Sequence, residues 1–242
     1  LNGVNYHYDL QATCPRWLDF LKQLFGGDHE SLELLQEFFG LCITTDTSYQ
    51  KILCLIGPKR SGKGTVLRIL SQLVGVENVV SPPLSSMSGE FGLQPWLGKL
   101  VATVTDARLG GNSGQHRIVE RLLSISGEDN LTVNRKMLSM VTTKLKTRIV
   151  LASNELPTLR DQSEALVSRL LILSLTNSWH NKENTRLTEE LLEEQSGILN
   201  WSLKGLARLR ERGRFVQPSR SEELFQEMRE LSSPVSTFME ER

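Results

Sequence analysis

A glycine-rich loop between a buried strand and a helix is the feature that most constrains the fold of this chain. The apolar run Ile52–Ile56 has the length of a buried strand, and the loop Gly57–Thr65 follows it directly. Beyond the loop, apolar residues recur at helical spacing as far as Val74. Glycines let backbone N–H groups converge on phosphate oxygens, and the following helix directs the positive end of its dipole to the same place. This order of elements predicts a phosphate-binding loop.

The loop also carries the side chains that a nucleotide site needs. It reads Gly57, Pro58, Lys59, Arg60, Ser61, Gly62, Lys63, Gly64 and Thr65. Lys63 is predicted to reach the β- and γ-phosphates of ATP, and Thr65 offers a hydroxyl for Mg²⁺. Gly64 occupies the usual serine or threonine place, so Thr65 stands one position further along the chain. The alternative is a glycine-rich turn that binds nothing.

Three further apolar runs predict the fold class. They are Leu100–Thr105, Arg148–Ser153 and Leu170–Leu175. Strands that alternate with helical segments predict an α/β fold with a mostly parallel sheet and helices on both faces, as in P-loop NTPases. Helical patterns flank this core on both sides. The predicted parts are an N-terminal helical segment (1–48), the NTPase core (49–180) and a C-terminal helical segment (181–242).

The composition of the chain limits which partners it can bind and in which cellular compartment it is expected. Twenty-eight basic and twenty-eight acidic residues cancel, so any nucleic-acid binding must come from local clusters. The cysteines, at positions 14, 42 and 54, match neither a zinc site nor a disulfide framework, which favours a reducing, cytoplasmic setting. No stretch approaches the roughly 18 apolar residues of a membrane span, so no membrane partner is predicted. Because the chain begins at Leu1 and not at Met, we expect it to be a piece of a longer protein.

Polar side chains follow two of the predicted strands. Asp106 ends the first, where a carboxylate is predicted to hold Mg²⁺ through water. Ala107 stands where a second acid is common, so the role of catalytic base is either vacant or belongs to Glu128, Glu155 or Asp106 itself. Asn154 ends the other strand, where a neutral amide can orient the hydrolytic water or touch the γ-phosphate without adding repulsive charge. The alternative for this asparagine is a turn former.

An arginine precedes the last apolar run. Arg169 could stabilise transition-state charge on ATP bound by a neighbouring subunit, as arginine fingers do. A solvated arginine at a helix end is the alternative. Arg108, Arg117 and Arg121 are weaker candidates for the same work.

A basic stretch lies between the two strands that end in these polar residues. From residue 130 to residue 148 there is no acid, and the basic residues are Arg135, Lys136, Lys144, Lys146 and Arg148. A turn at 127–130 followed by β character predicts a basic hairpin or loop. We predict that its first four basic residues grip the phosphate backbone of single-stranded DNA. A solvated basic face is the alternative. A second basic run, at 204–214, is predicted to lie on a helix surface.

Taken together, these segments resemble the superfamily 3 helicase domain of phage and plasmid primase–helicases, a branch of the AAA+ ATPases. The resemblance runs from about Trp17 to the region of Pro234. It is carried by GPKRSGKGTVLRIL, GKLVATVTDARL, VERLLSISGEDNLTVNRK, TRIVLASNELPTLRDQSEALVSRLLIL and GILNWSLKGLARLRERGRF.

This resemblance implies a ring, a hexamer, that hydrolyses ATP with Mg²⁺ between subunits and pulls on single-stranded DNA, typically 3′ to 5′. It implies that Lys63 and Thr65 belong to the nucleotide loop, that Asp106 belongs to the magnesium-associated strand, and that Asn154 is the polar sensor. It also implies that Arg169 acts on a neighbouring subunit, and that Lys136 and Lys144 lie in the region that faces the central channel. It also implies oligomerisation through the N-terminal helices and a primase or primase–polymerase region in the parent chain. The family commonly has paired acids at the magnesium strand, and this chain has one.

Two other functions compete with this one. The loop also resembles that of adenylate kinases, which close arginine-rich lids over a second nucleotide. Here, however, the basic stretch lies between two predicted core strands. The second alternative is a DNA-associated switch or assembly module that binds ATP and hydrolyses it weakly, and the missing second acid at Ala107 motivates it.

Overall fold

The computed structural model describes residues 3–105, 114–156 and 165–231. Its α-helices are α1 (Pro15–Phe25), α2 (His29–Cys42), α3 (Lys63–Val74), α4 (Gln115–Ser126), α5 (Ala165–Arg169), α6 (Leu187–Leu192), α7 (Gln195–Arg212) and α8 (Glu222–Leu231). Its strands are β1 (Ile52–Ile56), β2 (Val79–Val80), β3 (Val101–Val104), β4 (Leu131–Arg135), β5 (Leu138–Thr143), β6 (Arg148–Ser153) and β7 (Leu170–Ser174). Short 3-10 helices cover Val76–Asn78, Leu84–Ser88, Gln94–Trp96 and Ser219–Ser221.

Five of these strands form one parallel sheet in the order β2-β3-β6-β1-β7. The four apolar runs predicted as strands all lie in it, which confirms the α/β fold with a mostly parallel sheet. Helices cover both faces, as the alternation of elements predicts. The strand that the sequence pattern did not indicate is β2, because Val79 and Val80 are too short a run to recognise.

The two faces of the sheet bury alternate residues. Leu53 and Leu55 of β1 belong to a core with α1, α2, α3 and α7. Ile52, Cys54 and Ile56 belong to a second core, with α4 and α5, on the other face. Every residue of β1 and of β6 is buried, which explains why these strands read as continuous apolar or nearly apolar runs.

A pair of glycines, Gly26 and Gly27, lies between the two N-terminal helices. Pro15 starts α1, a position at which proline's missing N–H costs nothing, and Gly26 ends it in the left-handed conformation with φ +59°. Asp28 then caps α2 by accepting a hydrogen bond from the Glu30 N–H at 3.2 Å. The predicted helical region therefore consists of two helices joined by a tight turn.

The two flanking helical segments pack against each other, chiefly through α2 and α7. Glycines allow this approach: a Cβ on Gly205 would lie 2.5 Å from the carbonyl carbon of Gln36, and one on Gly40 would lie 2.3 Å from the Ser202 carbonyl oxygen. The backbones of the two helices are thus almost in direct contact. The division of the chain near residues 48 and 180 stays a prediction.

A buried carboxylate holds the same pair of helices together. Glu37 on α2 is 1% exposed and accepts hydrogen bonds from Arg208 Nε at 2.7 Å and from Arg212 Nη2. Arg208 Nη1 also lies 3.7 Å from the Glu33 carboxylate. The second basic run therefore lies largely on the helix α7, and two of its arginines pair with Glu37 while their side chains stay 31% and 29% exposed.

We expect Arg208→Ala to lower the free energy of unfolding by about 2 kcal/mol, because the Glu37 carboxylate would stay buried with one cationic partner fewer. Arg16→Ala is the matched control, since the Arg16–Glu193 pair is 57% and 69% exposed and should contribute less than about 1 kcal/mol. Urea denaturation of both variants measures the difference. Equal losses would show that burial of Glu37 does not decide the stability of this contact.

Cys14, Cys42 and Cys54 are all buried and free. Burial raises the pKa of Cys14 to about 11 and those of Cys42 and Cys54 to about 12, so these thiols stay protonated and serve as packing groups. Within the described ranges, no helix combines the length and the apolar character needed to cross a membrane.

Candidate nucleotide site

A cavity of about 920 Å³ lies against the predicted phosphate loop. Loop residues 59–65 and Asn154 line it, α1 forms one wall, and residues between 179 and 188 form another. It lies at the edge of the sheet where β1 and β6 end. A volume of this size is typical of pockets that hold small molecules and cofactors. The loop thus borders a space whose volume lies in the range of small-molecule sites.

Gly62 allows the loop to pass directly under α1. Its φ of +91° is a conformation that side-chain-bearing residues rarely adopt. A Cβ at this position would also lie 2.8 Å from Leu24 Cδ1 and 3.4 Å from Phe20 Cζ. The glycine of the motif is therefore required twice, once by its own backbone and once by the packing of α1.

Lys63 is folded back into its own loop. Its Nζ donates hydrogen bonds to the Gly57 carbonyl at 2.6 Å, to the Pro58 carbonyl at 2.8 Å and to Ser61 Oγ at 3.1 Å. Desolvation by burial lowers the pKa of the Lys63 ammonium below its usual range. A phosphate in the cavity would offer this ammonium stronger, charge-assisted hydrogen bonds in place of the carbonyls.

Thr65, the predicted magnesium ligand, is buried in the first turn of α3. Its hydroxyl accepts a hydrogen bond from Arg68 Nη2 at 3.2 Å, and Arg68 Nε donates to Thr188 Oγ1 at 3.1 Å. Asp106, the other predicted ligand, lies outside the described residues. In the part of the chain that the structure describes, no group of three His, Cys, Asp or Glu side chains could hold a metal ion.

Asn154 lies beside the start of the phosphate loop. Its strand, β6, pairs with β1 in parallel, and the Gly57 N–H donates to the Ser153 carbonyl at 3.2 Å. Asn154 therefore emerges next to the loop and lines the cavity. Glu155, one of the alternatives for a base, follows it at the same edge and is exposed. The strand β3, which leads to Asp106, pairs with β6 and ends at this edge as well.

Arg169 and Glu128 lie at the opposite edge, where the strands begin. Arg169 Nη1 donates to Ser126 Oγ at 2.8 Å and to the Leu123 carbonyl, at the carboxyl end of α4. Glu128 accepts a hydrogen bond from Thr47, just before β1. Neither side chain lines the cavity. Any contact of Arg169 with ATP would therefore involve the ATP of a neighbouring subunit.

The weaker arginine candidates hold a 3-10 helix in place. Arg121 Nη1 donates to the carbonyls of Gly89, at 2.8 Å, and of Met87, while Arg117 Nη1 donates to the Ser88 carbonyl at 3.1 Å. Both arginines lie on α4 and thus join this helix to the 3-10 helix. Arg108 lies outside the described residues.

The segment that follows β7 contributes to the site, although no sequence motif indicates it. The Trp179 N–H donates to the Arg60 carbonyl at 3.0 Å, and Ser178 Oγ donates to the Lys59 carbonyl at 2.9 Å. The Arg60 side chain lies 3.4 Å from the Glu183 carboxylate. These contacts fasten the segment to the tip of the phosphate loop. A tryptophan within a polar segment was the signal available in the sequence.

The predicted basic hairpin is present as β4 and β5, which pair antiparallel with Val133 opposite Val141. Its turn is anchored by a hydrogen bond from the Lys136 N–H to Gln94 Oε1 at 3.0 Å. Arg135 Nε donates to the Ser139 carbonyl at 2.8 Å. The exposed side chains on and beside the hairpin include Lys136, Lys144, Lys146, Met137, Leu138 and Met140.

Arg148 differs from the other basic residues of this stretch. It is 3% exposed, and its guanidinium donates to Thr44 Oγ1 at 3.2 Å and to the carbonyl of Asp46. It therefore joins the start of β6 to the segment that leads into β1 and is not accessible to a nucleic acid. No residue of the hairpin lines the nucleotide cavity, so the hairpin does not form a lid over it.

Comparison with known proteins extends these observations. A model of a family of unknown function, DUF5906, matches residues 55–169, just under half of the chain. The uncharacterized mitochondrial protein ymf21 of Marchantia polymorpha is 27% identical over 79 residues, which are 33% of this chain and 44% of that protein. The matched family region runs from the end of β1 to the end of α5 and so contains the phosphate loop, the hairpin and Asn154.

Solved structures of the C-terminal region of NrS-1 share the fold. An apo A form has a TM-score of 0.69 at 15% identity and covers 92% of this chain and 55% of its own. A second apo structure has a TM-score of 0.65 at 16% identity and covers 83% and 51%. The chain thus spans about half the length of these structures. At this identity the likeness establishes the α/β architecture and not an activity.

Proposed function

We propose that this chain is the motor of an ATP-dependent DNA helicase, which hydrolyses ATP at subunit interfaces to move along single-stranded DNA during phage or plasmid replication. The observation that carries the proposal is the cavity that both Lys63 and Asn154 line, at the ends of two adjacent parallel strands. A lysine that can hold phosphates and a neutral polar side chain that can orient a water molecule, both in one cavity, support hydrolysis of a phosphate bond. The fold shared with the NrS-1 C-terminal region is compatible with this function.

Each residue of the cavity would have a separate role in ATP hydrolysis. Backbone N–H groups of the loop and the Lys63 ammonium would hold the phosphates, and Asn154 would orient the attacking water. Mg²⁺, when bound, neutralises charge between the phosphates. Asp106 would hold it through water, and Thr65 would join only if Arg68 turned away from its hydroxyl. Of the alternatives for the base, Glu155 lies at the correct edge of the sheet.

We propose further that the motor works as a homo-oligomeric ring, a hexamer. In it, Arg169 would exchange its contacts with α4 for the γ-phosphate of a neighbouring subunit. The hairpin would carry the DNA contacts through Arg135, Lys136, Lys144 and Lys146. The parent protein would join this motor to a primase or primase–polymerase region and act in the cytoplasm of a bacterial or phage-infected cell.

A second function is favoured by two contacts. The Thr65 hydroxyl is bonded to Arg68, and the Arg169 guanidinium is bonded to the end of α4, so two groups that hydrolysis would use have other partners. A module that binds ATP as an assembly switch and hydrolyses it weakly would keep these contacts. A small-molecule kinase is less favoured, because the basic hairpin does not close over the cavity.

Steady-state ATP hydrolysis with and without single-stranded DNA separates these functions. Turnover that rises when DNA is added supports the helicase motor. Tight ATP binding with turnover that DNA does not change supports the switch. Turnover that instead requires a nucleoside monophosphate as acceptor would identify a kinase and refute the proposal.

The hairpin lysines allow a separate test of the DNA interface. We expect the double variant Lys136→Ala, Lys144→Ala to bind single-stranded DNA more weakly, with a slope of log affinity against log salt that is less steep by about 0.7 for each phosphate that the protein no longer neutralises. Lys204→Ala is the control, since Lys204 is an exposed lysine on α7, away from the hairpin. Fluorescence anisotropy at several salt concentrations measures the slope. An unchanged slope in the double variant would remove the hairpin from the DNA interface.

A further inference from the structure

Trp179 stands apart from the other tryptophans of the chain. Trp17 and Trp96 are 0% exposed and Trp201 is 6% exposed, so all three are core residues. Trp179 is only partly buried: it packs against the core that lies under α1 and also lines the nucleotide cavity. An aromatic ring that borders a ligand cavity offers a flat apolar surface without burying its polar edge.

The backbone around Trp179 is fixed relative to the phosphate loop. Its N–H is bonded to the Arg60 carbonyl, and the Lys182 N–H donates back to the Trp179 carbonyl at 2.8 Å, which closes a turn. One residue earlier, Ser178 bonds to Lys59. The backbone that carries the ring is therefore held at a set position relative to the phosphate loop, and the side chain packs against the core. Such preorganisation lowers the entropic cost of binding a ligand that spans both.

The facing wall of the cavity is one side of α1. Arg16, Asp19, Phe20 and Gln23, spaced as i, i+3, i+4 and i+7, share one face of the helix and all line the cavity. The Asn177 side chain donates to the Gln23 carbonyl at 2.7 Å, so α1 and the segment after β7 are joined. The cavity therefore extends beyond the phosphate loop into a slot with an aromatic ring and several polar side chains.

We propose that Trp179 stacks on the base of the bound nucleotide, so that the site recognises an aromatic base as well as phosphates. This inference rests on the proposed function, because it takes the ligand of the loop to be a nucleotide. The polar side chains of α1, Asp19 and Gln23, would face the edge of the base. Stacking between a base and an aromatic side chain typically contributes between fivefold and about 100-fold in affinity.

Calorimetric titration of the native chain and of Trp179→Ala with ADP and with pyrophosphate tests this role. ADP carries the base, and pyrophosphate presents phosphates alone. We expect Trp179→Ala to bind ADP at least about tenfold more weakly than the native chain. We expect it to bind pyrophosphate with the same affinity as the native chain. Equal ADP affinities in the two proteins would overturn the inference.

Tryptophan fluorescence gives a second measurement on the same protein. We expect ADP to quench the emission of the native chain and of Trp201→Phe, because Trp201 lies in the core. Trp179→Phe should still bind ADP in the calorimeter while losing the quench. A quench that persists in Trp179→Phe would refute stacking on this residue.

The two ligands also separate the inference from the proposed function. If the native chain binds both ligands and Trp179→Ala binds ADP as tightly as the native chain does, the Trp179 proposal falls, while the phosphate site remains. If it binds neither ligand, both the nucleotide site and the stacking role are refuted.

Discussion

Lys63→Ala is expected to lower the rate of ATP hydrolysis by at least about 100-fold, the loss that typically follows removal of one preorganised donor from a charged transition state. The Nζ atom is held between the Gly57 and Pro58 carbonyls and Ser61, directly beneath the cavity, so alanine removes every donor of this group at once. Loss of the positive charge should also weaken ADP binding. Steady-state turnover and calorimetric ADP affinity measure the two effects.

Two further variants make this result specific. Lys63→Arg keeps the charge but replaces a compact ammonium by a planar fork too large for the three acceptors, so it should also be impaired. Lys22→Ala, an exposed lysine on α1 whose side chain does not line the cavity, should retain native turnover. If Lys63→Ala hydrolyses ATP at the native rate, the loop is not a nucleotide loop and the proposed function is wrong. The melting temperatures of all three variants show whether folding is affected.

Four of the five strands of the sheet were predictable from the sequence, most clearly the central strands, which are buried on both faces. Such strands read as continuous apolar runs, and the bounds of β1 and β6 are those that the pattern predicts. The short strand β2 was not predicted, because two consecutive valines are too few to distinguish a strand from the rest of the sequence. The contact between α2 and α7 was not predicted either. Gly40 and Gly205 are far apart in the sequence, and no local sequence pattern indicates that their helices meet.

The candidate site was predictable where its residues follow a strand. The loop after β1 and Asn154 after β6 meet because parallel strands place their carboxyl ends at one edge. The segment that carries Trp179 follows a strand too, but it lacks a motif, and its position depends on hydrogen bonds to the carbonyls of Lys59 and Arg60 that no local pattern indicates. The edge at which Arg169 lies follows from its place just before β7 in a parallel sheet, whereas the edge of Glu128 was not readable, because Glu128 precedes the separate β4–β5 hairpin.

Asn154→Ala is expected to lower turnover by about 100-fold while ADP affinity stays close to native, because an amide that orients the attacking water acts mainly in the transition state. Asn154→Asp should instead weaken nucleotide binding, since it adds a negative charge beside the phosphates in the same cavity. Measuring kcat and ADP affinity for both variants separates the two effects.

Asn154→Gly distinguishes this chemical role from a purely structural one. Glycine is at least as good a turn former as asparagine, so a residue needed only to end β6 would tolerate the change with native turnover. If the amide itself acts on water or on the γ-phosphate, Asn154→Gly should lose as much turnover as Asn154→Ala. The β6–β1 pairing through Gly57 and Ser153 involves backbone atoms alone, so neither variant should disturb it. Native turnover in the glycine variant would therefore assign Asn154 to the turn and leave the water-orienting group to Glu155 or to a neighbouring subunit.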